Sequence, residues 1–365
     1  MHSAAAYTDA DFGHSPLLVF YEVTRACDLA CQHCRACAVT QAHRNQLDTE
    51  AGCALLDELA SFPRKPMVVL TGGDPFKRAD LSTLVGHAAD VGLTPSISPS
   101  ATPLVTRDRL ASLRDAGLCR VAVSIDGADA STHDRFRMVS GTFDAALRII
   151  GDCAALQLPV QVNTTIHRGN VHQVHRMAKL LGGLPGVSMW SVFFLVPVGR
   201  GLKLQRIDPS QYEEVFARLS EHARRQPYAI KTTEAPFYRR YMLQRGSNPV
   251  ASRPAHAMKA PLGVNDGKGV MFISHVGQVQ PSGFLPIECG RFPRDSIVRT
   301  YQRHPVFVAL RDPDRLEGKC GVCEFRRVCG GSRARSYNLT GNLLAAEPDC
   351  IYQPQCEREL LSCSA

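Results

Sequence analysis

The sequence predicts an α/β protein, a partial (β/α)6 TIM-like barrel followed by a small cysteine-rich α+β C-terminal domain. Short apolar, β-branched runs alternate with stretches of helical spacing through the first 225 residues. Such alternation gives parallel strands joined by right-handed helical crossovers, and six units make a sheet that can curl into an open barrel. Ligands of such sheets bind at the carboxyl ends of the strands.

Six runs are predicted to be the strands of the barrel: residues 17–23, 67–70, 95–98, 121–125, 160–166 and 189–196. Helical spacing lies between them. Leu110 and Leu113, for example, stand between Thr106, a candidate N-cap, and Gly117, a candidate helix end.

The periodic pattern changes along the second half of the chain. Residues 226–262 are rich in Pro, Arg and Ala and have few apolar repeats, which indicates a connection between domains. Short strands are then predicted at 270–274 and 278–280, before a cysteine-dense tail. We therefore expect an N-terminal extension (1–16), a core (17–225), a connecting segment (226–262) and a C-terminal domain (263–365).

The composition is that of a globular protein, with 44% hydrophobic and 21% charged residues. The chain does not begin with a basic and then apolar leader, and it has no apolar run of membrane-spanning length, so we expect a cytoplasmic protein without membrane contact.

Fourteen cysteines in a reducing compartment favour metal ligation over disulfides. The net charge of +8 does not by itself choose among nucleic acid, an acidic substrate and solubility.

The first cysteine cluster directly follows the first predicted strand. Cys27, Cys31 and Cys34 are separated by three and two residues. Three thiolates on one loop can hold a [4Fe-4S] cluster and leave one iron open to a small molecule. A zinc site completed by His33 or Cys37 is the alternative, because thiolates also select zinc.

With this CxxxCxxC loop after its first strand, the chain resembles the radical S-adenosylmethionine (SAM) superfamily of partial barrels. The resemblance implies that Cys27, Cys31 and Cys34 hold a [4Fe-4S] cluster whose open iron binds SAM. It also implies that an electron from the cluster cleaves SAM to a 5′-deoxyadenosyl radical, which abstracts hydrogen from a substrate.

The second predicted strand ends in Thr71-Gly72-Gly73-Asp74-Pro75. This run is similar to the family's GGEP motif, with Asp74 in place of glutamate. The resemblance implies contacts with SAM, because the glycines let the backbone approach it and the carboxylate can accept hydrogen bonds from its amino group. As a bare sequence the run is typical of a turn.

The ends of the third to sixth strands carry the remaining residues that the resemblance implies contact SAM: Ser98, Ser124, Asp126, Asn163 and Val196. Arg137 is a further candidate for binding a carboxylate. Local turn capping is the alternative role for the serines and the aspartate.

The second cysteine cluster lies in the tail and contains Cys320, Cys323, Cys329 and Cys350. Four thiolates can close an iron–sulfur cluster completely, although the spacing alone suits zinc almost as well. The runs 329–335 and 347–350 resemble the SPASM extension of radical SAM enzymes, which implies an auxiliary [4Fe-4S] cluster on these cysteines. The two resemblances together cover the chain apart from residues 1–16 and 226–262.

The tail departs from a full SPASM extension, which has seven cysteines and two auxiliary clusters. Arg333 stands where a CxxxC partner is expected, and Ser282 occupies a position often held by cysteine. Cys289 has no evident second thiol nearby, so we expect a single auxiliary cluster. Either Cys350 or Cys356 could be its last ligand.

The SPASM resemblance implies a maturase that abstracts hydrogen from a ribosomally made peptide, with an electron donor such as flavodoxin or ferredoxin. The alternative is a tetrapyrrole maturase that removes or oxidises propionate side chains, because the GGxRxR stretch and the Asp-Cys tail also resemble haem maturases. Basic residues of the connecting segment could then bind carboxylates: Arg239, Arg240, Arg245 and Arg253. A third hypothesis is a non-enzymatic zinc or nucleic-acid-binding protein, although the sequence has no aromatic-rich basic stripe for stacking bases.

Overall fold

Eleven strands form one sheet in the computed structural model, which describes residues 7–247 and 262–355. The strands are β1 (Leu18–Thr24), β2 (Met67–Gly72), β3 (Thr94–Ile97), β4 (Arg120–Ser124), β5 (Val160–Ile166), β6 (Val187–Phe194), β7 (Ala229–Thr233), β8 (Asn265–Asp266), β9 (Gly269–Ile273), β10 (Gln278–Gln280) and β11 (Gly290–Arg291). Their spatial order is β11-β10-β9-β1-β2-β3-β4-β5-β6-β7, with β8 beside β9.

The sheet is parallel through its centre. Each strand from β1 to β6 pairs in parallel with the next, and β9 pairs in parallel with the other side of β1. β10 is antiparallel to both β9 and β11. The predicted partial barrel is therefore confirmed, and all six predicted strands form within two residues of the predicted bounds.

Twelve α-helices accompany the sheet within the described residues: α1 (Thr49–Ala60), α2 (Leu81–Asp90), α3 (Arg107–Asp115), α4 (Ala130–Arg137), α5 (Thr142–Ala155), α6 (Val174–Gly182), α7 (Pro209–Arg225), α8 (Phe237–Gln244), α9 (Ile297–Arg303), α10 (Pro305–Arg311), α11 (Gly318–Gly321) and α12 (Arg333–Thr340). The predicted cap of α3 forms, because the Thr106 side chain accepts a hydrogen bond from the Arg109 N–H. Asp48 and Asp129 cap α1 and α4 in the same way.

The main hydrophobic core lies between the helices and the sheet. Val19, Tyr21 and Val23 of β1 are fully buried in it together with Leu55 and Leu59 of α1. Since side chains alternate along a strand, the residues between these face the inside of the barrel.

The described part of the predicted connecting segment, residues 226–247, contains a strand and a helix. Residues 229–233 form β7 of the sheet, and α8 buries Phe237, Tyr238 and Tyr241. The strand has only five residues, and the helix packs aromatic rings between arginines, so the apolar periodicity is faint. Residues 248–261, which include Arg253, lie outside the described residues.

The region after residue 262 extends the barrel before it carries the second cysteine cluster. The predicted strands at 270–274 and 278–280 form as β9 and β10, and β9 lies directly beside β1. The assignment of residues 263–365 to a separate domain stays a prediction. Among the helices in 7–247 and 262–355, none is long and apolar enough to cross a membrane.

Candidate active site

A cavity with about 940 Å³ of empty space, part of it open solvent, lies at the carboxyl ends of the barrel strands. Eight of the residues predicted from the sequence line it: Cys27, Cys31, Cys34, Gly72, Gly73, Ser124, Asn163 and Val196. Phe284, from the loop after β10, also lines the cavity and packs against Phe193 with ring centroids 6.2 Å apart. The three thiols and the strand ends therefore face one space, covered in part by the C-terminal region.

Two of the three thiols of the first cluster accept hydrogen bonds from backbone donors. The Sγ atom of Cys27 accepts a hydrogen bond from Leu29 N at 3.3 Å, and that of Cys34 accepts one from Ala38 N at 3.4 Å. Hydrogen bonds to cysteine sulfurs are a feature of iron–sulfur sites. Burial raises the pKa of the Cys27 thiol, so its thiolate is favoured only when a metal takes the place of the proton.

Arg137 connects the first cluster to a buried carboxylate. Its Nη1 lies 3.7 Å from Cys31 Sγ, and its Nε donates to Asp126 Oδ2 at 2.8 Å, with Nη2 bonded to the same oxygen. Burial opposes ionisation of Asp126, but the Arg137 charge, together with His33, His133 and the Thr165 N–H, outweighs it and keeps the pKa of Asp126 below its usual range. Asp126 does not line the cavity, because it lies behind Arg137, which does.

Asp74 also lies behind the cavity wall rather than in it. Its carboxylate is fully buried and accepts hydrogen bonds from Thr102 Oγ1 at 2.7 Å and from Phe76 N at 3.1 Å. Pro75 and Ser98 are likewise not among the lining residues. Direct SAM contacts through Asp126, Asp74, Pro75 and Ser98 stay a prediction, and in this arrangement the two carboxylates bond to residues of the wall.

An aromatic stack clamps the cysteine loop. The rings of His33, Phe136 and His167 lie nearly parallel, with centroid distances of 4.3 Å for both neighbouring pairs. Burial lowers the pKa of His167 to about 4, so this ring is neutral in the stack. The Gln32 N–H also donates to Phe136 O at 3.0 Å. The loop is therefore fixed to α4, the helix that carries Arg137.

Several lining residues have no strong signal in the sequence: Arg35, Ser100, Thr165, Phe193, Arg200 and Phe284. Ser100 lies two positions after the predicted contact Ser98, so only the exact path of the strand end distinguishes the two. Phe284 comes from the C-terminal half, and no local pattern places it above the barrel.

Replacing Gly73 by alanine should weaken SAM binding by about tenfold or more, a change of about 1.4 kcal/mol. A Cβ at this position would overlap the backbone carbonyl of Ala26, so β2 and the cysteine loop could not keep their close approach. Equilibrium dialysis with labelled SAM measures the change. Gly151→Ala in α5 is the control, because no atom lies within 4 Å of its new Cβ. Equal SAM affinity in both variants would show that the close approach is unimportant.

A second cavity, with about 400 Å³ of empty space including open solvent, lies in the tail. Cys320, Cys323, Cys329 and Cys350 all line it. Each sulfur accepts a backbone hydrogen bond: Cys320 from Glu347 at 3.3 Å, Cys329 from Gly331 at 3.4 Å, Cys323 from Phe325 and Cys350 from Tyr352. The four predicted ligands therefore converge and fit a closed cluster.

The departures from a full SPASM extension have structural roles of their own. Arg333 donates to Leu343 O at 3.1 Å and to Ala345 O at 2.7 Å, which holds the loop leading to Cys350. The Cys289 thiol donates to Ile287 O at 3.5 Å and lies away from the four-cysteine cavity. Cys356 lies outside the described residues, so the choice between it and Cys350 rests on Cys350 lining the cavity.

A buried charge network joins the tail to the barrel. Arg335 lies 3.2 Å from a carboxylate oxygen of Glu347 and 3.2 Å from one of Asp349. Tyr212 of α7 donates to Asp349 at 2.8 Å, and Arg206 pairs with the same carboxylate. Arg335, the second arginine of the GGxRxR stretch, thus fixes the segment between Cys329 and Cys350.

A site for a single metal ion, such as zinc, needs a tighter group of ligands than an iron–sulfur cluster does. Within residues 7–247 and 262–355, no three His, Cys, Asp or Glu side chains are arranged to hold one metal ion. A cubane distributes its thiolate bonds over four irons, so its ligands stand farther apart than those of one zinc ion.

An open parallel barrel with three thiols in the loop after its first strand is the arrangement of an iron–sulfur enzyme. The sequence profile of the Radical SAM superfamily matches residues 21–181. The chain is 39% identical over 345 residues to the AdoMet-dependent heme synthase of Oleidesulfovibrio alaskensis, covering 93% of this chain and 88% of that one. The chain therefore belongs to the radical SAM superfamily.

Two further similar proteins have descriptions that refer to peptides. The PqqA peptide cyclase of Bradyrhizobium diazoefficiens is 29% identical over 363 residues, covering 94% of this chain and 90% of that one. The crystal structure of Streptococcus suis SuiB bound to precursor peptide SuiA has a TM-score of 0.71 at 14% identity, covering 93% of this chain and 76% of that one. SuiB thus shares the fold.

The protein is a radical SAM enzyme that uses a [4Fe-4S] cluster and SAM, as the sequence predicted. Family membership excludes the hypothesis of a non-enzymatic zinc or nucleic-acid-binding protein. Peptides and tetrapyrroles both stay candidate substrates, since relatives of both kinds match nearly the whole chain.

Proposed function

We propose that this enzyme acts on a tetrapyrrole and oxidatively removes a propionate carboxyl group. The observation that carries the proposal is the difference in identity among its relatives. The heme synthase is 39% identical along 93% of this chain, whereas the peptide cyclase is 29% identical along 94%. The match includes the tail as well as the barrel, so it supports a shared substrate class in addition to shared radical chemistry.

The charges around the main cavity support an anionic substrate. Three arginines line it. Arg35 and Arg137 are paired with Glu22 and Asp126, whereas Arg200 has no ion-pair partner among the described residues, and the chain carries a net charge of +8. Propionate groups are carboxylates, which arginine binds through parallel N–H donors. Apolar walls from Phe193 and Phe284 would suit the face of a macrocycle.

The proposed roles of the site residues follow from their positions. Cys27, Cys31 and Cys34 hold the cluster that binds SAM, and the strand ends shape the space beside it: Gly72, Gly73, Ser124, Asn163 and Val196. Asp126 positions Arg137, and Asp74 supports the cavity wall. Bound SAM supplies the 5′-deoxyadenosyl radical, which can take a hydrogen atom from the substrate.

The proposed reaction needs a second electron acceptor. Converting a propionate to a vinyl group with loss of CO₂ releases one proton and two electrons, and one hydrogen atom accounts for the proton and one of the electrons. An auxiliary cluster held by Cys320, Cys323, Cys329 and Cys350 would accept the other, since four thiolates close it to substrate and suit it for electron transfer.

Incubation with iron coproporphyrin III, an iron tetrapyrrole with four propionate groups, tests the substrate class. We expect the reconstituted enzyme with SAM and dithionite to yield a product that has lost CO₂ and two hydrogen atoms per converted side chain, as read by mass spectrometry. The tetramethyl ester of the same compound is the control, because esterification blocks loss of the carboxylate. Neither binding nor product with the free acid would overturn the proposal.

A peptide substrate is the second candidate, supported by the PqqA peptide cyclase and by the fold shared with peptide-bound SuiB. Capture of a short precursor peptide, together with 5′-deoxyadenosine release that depends on it, would favour this candidate. Release that depends on the porphyrin would favour the first.

We further propose a cytoplasmic location and a small acidic electron donor such as flavodoxin or ferredoxin. The radical reaction consumes single electrons, and a net positive chain suits an acidic donor.

A further inference from the structure

Arg200 is fixed beside the cysteine loop by backbone contacts. It lies in the 3-10 helix Gly199–Lys203 that follows β6, and its N–H donates to Cys34 O at 3.1 Å. Gly199 has φ +56°, and a Cβ there would lie 2.5 Å from Arg35 O. None of these contacts uses the Arg200 side chain, which is free to face the main cavity that it lines.

Two nitrogens of the Arg200 guanidinium lack acceptors in the part of the chain that the structure describes. Its Nε and Nη2 atoms are buried and have no hydrogen-bond partner among the described residues. Arginine stays protonated in proteins, so these N–H groups cannot lose their charge to adapt. Buried donors without acceptors are unfavourable, and the few in native structures call for a specific cause.

The two other arginines that line the cavity are neutralised by the protein. Arg137 pairs with Asp126, and Arg35 Nη1 lies 3.0 Å from Glu22 Oε2. Arg200 forms no ion pair with any residue in 7–247 or 262–355. Its positive charge, unlike those of Arg35 and Arg137, is therefore not balanced by a carboxylate of the described residues. An anion entering the cavity would restore the balance.

We propose that Arg200 binds a carboxylate of a ligand in the main cavity. The planar fork of a guanidinium matches a carboxylate with two parallel hydrogen bonds. Two ligands could bring this group, SAM through its methionyl carboxylate and the substrate through a propionate, and the second source rests on the proposed function.

The test compares Arg200→Met and Arg200→Lys with wild type and with Lys203→Met, which removes an exposed charge from the same 3-10 helix. All four proteins are reconstituted, and their iron content is measured to establish that they are folded and loaded. The affinity for SAM is then measured by equilibrium dialysis. The affinity for iron coproporphyrin III and its tetramethyl ester is measured by absorbance titration.

We expect Arg200→Met to lose at least about tenfold in affinity for the ligand whose carboxylate it binds, with a smaller loss in Arg200→Lys and none in Lys203→Met. A loss for the porphyrin acid but not its ester assigns the site to substrate, and a loss for SAM assigns it to the cofactor. Unchanged affinity for both ligands overturns the inference. If wild type does not bind the porphyrin, the proposed substrate is wrong and the SAM measurement alone decides the role of Arg200.

Discussion

Cys31→Ala should abolish SAM cleavage. The side chain is one of three thiols facing the main cavity, and two thiolates do not retain a cluster with a single open iron. Release of 5′-deoxyadenosine under dithionite should fall to background. Iron in the anaerobically reconstituted protein should fall from about eight to about four atoms per chain, because the cysteine cavity in the tail is untouched.

The control for this prediction is Cys119→Ala. The Cys119 thiol is exposed, donates to Gly117 O and lines neither cysteine cavity. This variant should retain wild-type cleavage and iron content. SAM cleavage that survives in Cys31→Ala, or a wild-type protein that takes up no iron, would contradict the assignment of the cluster.

Arg335→Met should destabilise the protein by about 3–5 kcal/mol, the range for breaking a buried ion pair by removing one partner. Arg335 and Glu347 are both fully buried, and Asp349 nearly so. Without the guanidinium, the two carboxylates are left in the interior with less compensation. The midpoint of urea unfolding measures the loss.

The same variant should lose the iron of the second cluster while keeping that of the first. Glu347 N bonds to Cys320 Sγ, and Asp349 directly precedes Cys350, so disorder of this segment removes two ligands together. Arg327→Met is the matched control, because Arg327 is exposed and pairs with the exposed Asp314, and such pairs contribute about 1 kcal/mol or less. An equal loss of stability in the two variants would mean that the buried network contributes little.

Local patterns in the sequence were sufficient to predict the barrel and to group both sets of thiols. The alternation of short strands and helices predicted the parallel sheet, and β5 has the predicted bounds of 160–166. The cysteines could be grouped because ligands of one cluster tend to lie close in the chain, as in Cys27, Cys31 and Cys34. Only Cys350 had to be joined to its partners across a longer distance, and the resemblance supplied that step.

The sequence by itself therefore determined the fold class, the radical SAM signature and the two groups of thiols. Only the tertiary structure decided that β9 pairs with β1, and that Phe284 reaches the main cavity. It also placed Asp74 and Asp126 behind the cavity wall and left Arg200 without a carboxylate partner among the described residues. The physical reason is that strand pairing, burial and charge compensation depend on groups far apart in the chain, whereas periodicity and ligand spacing are local.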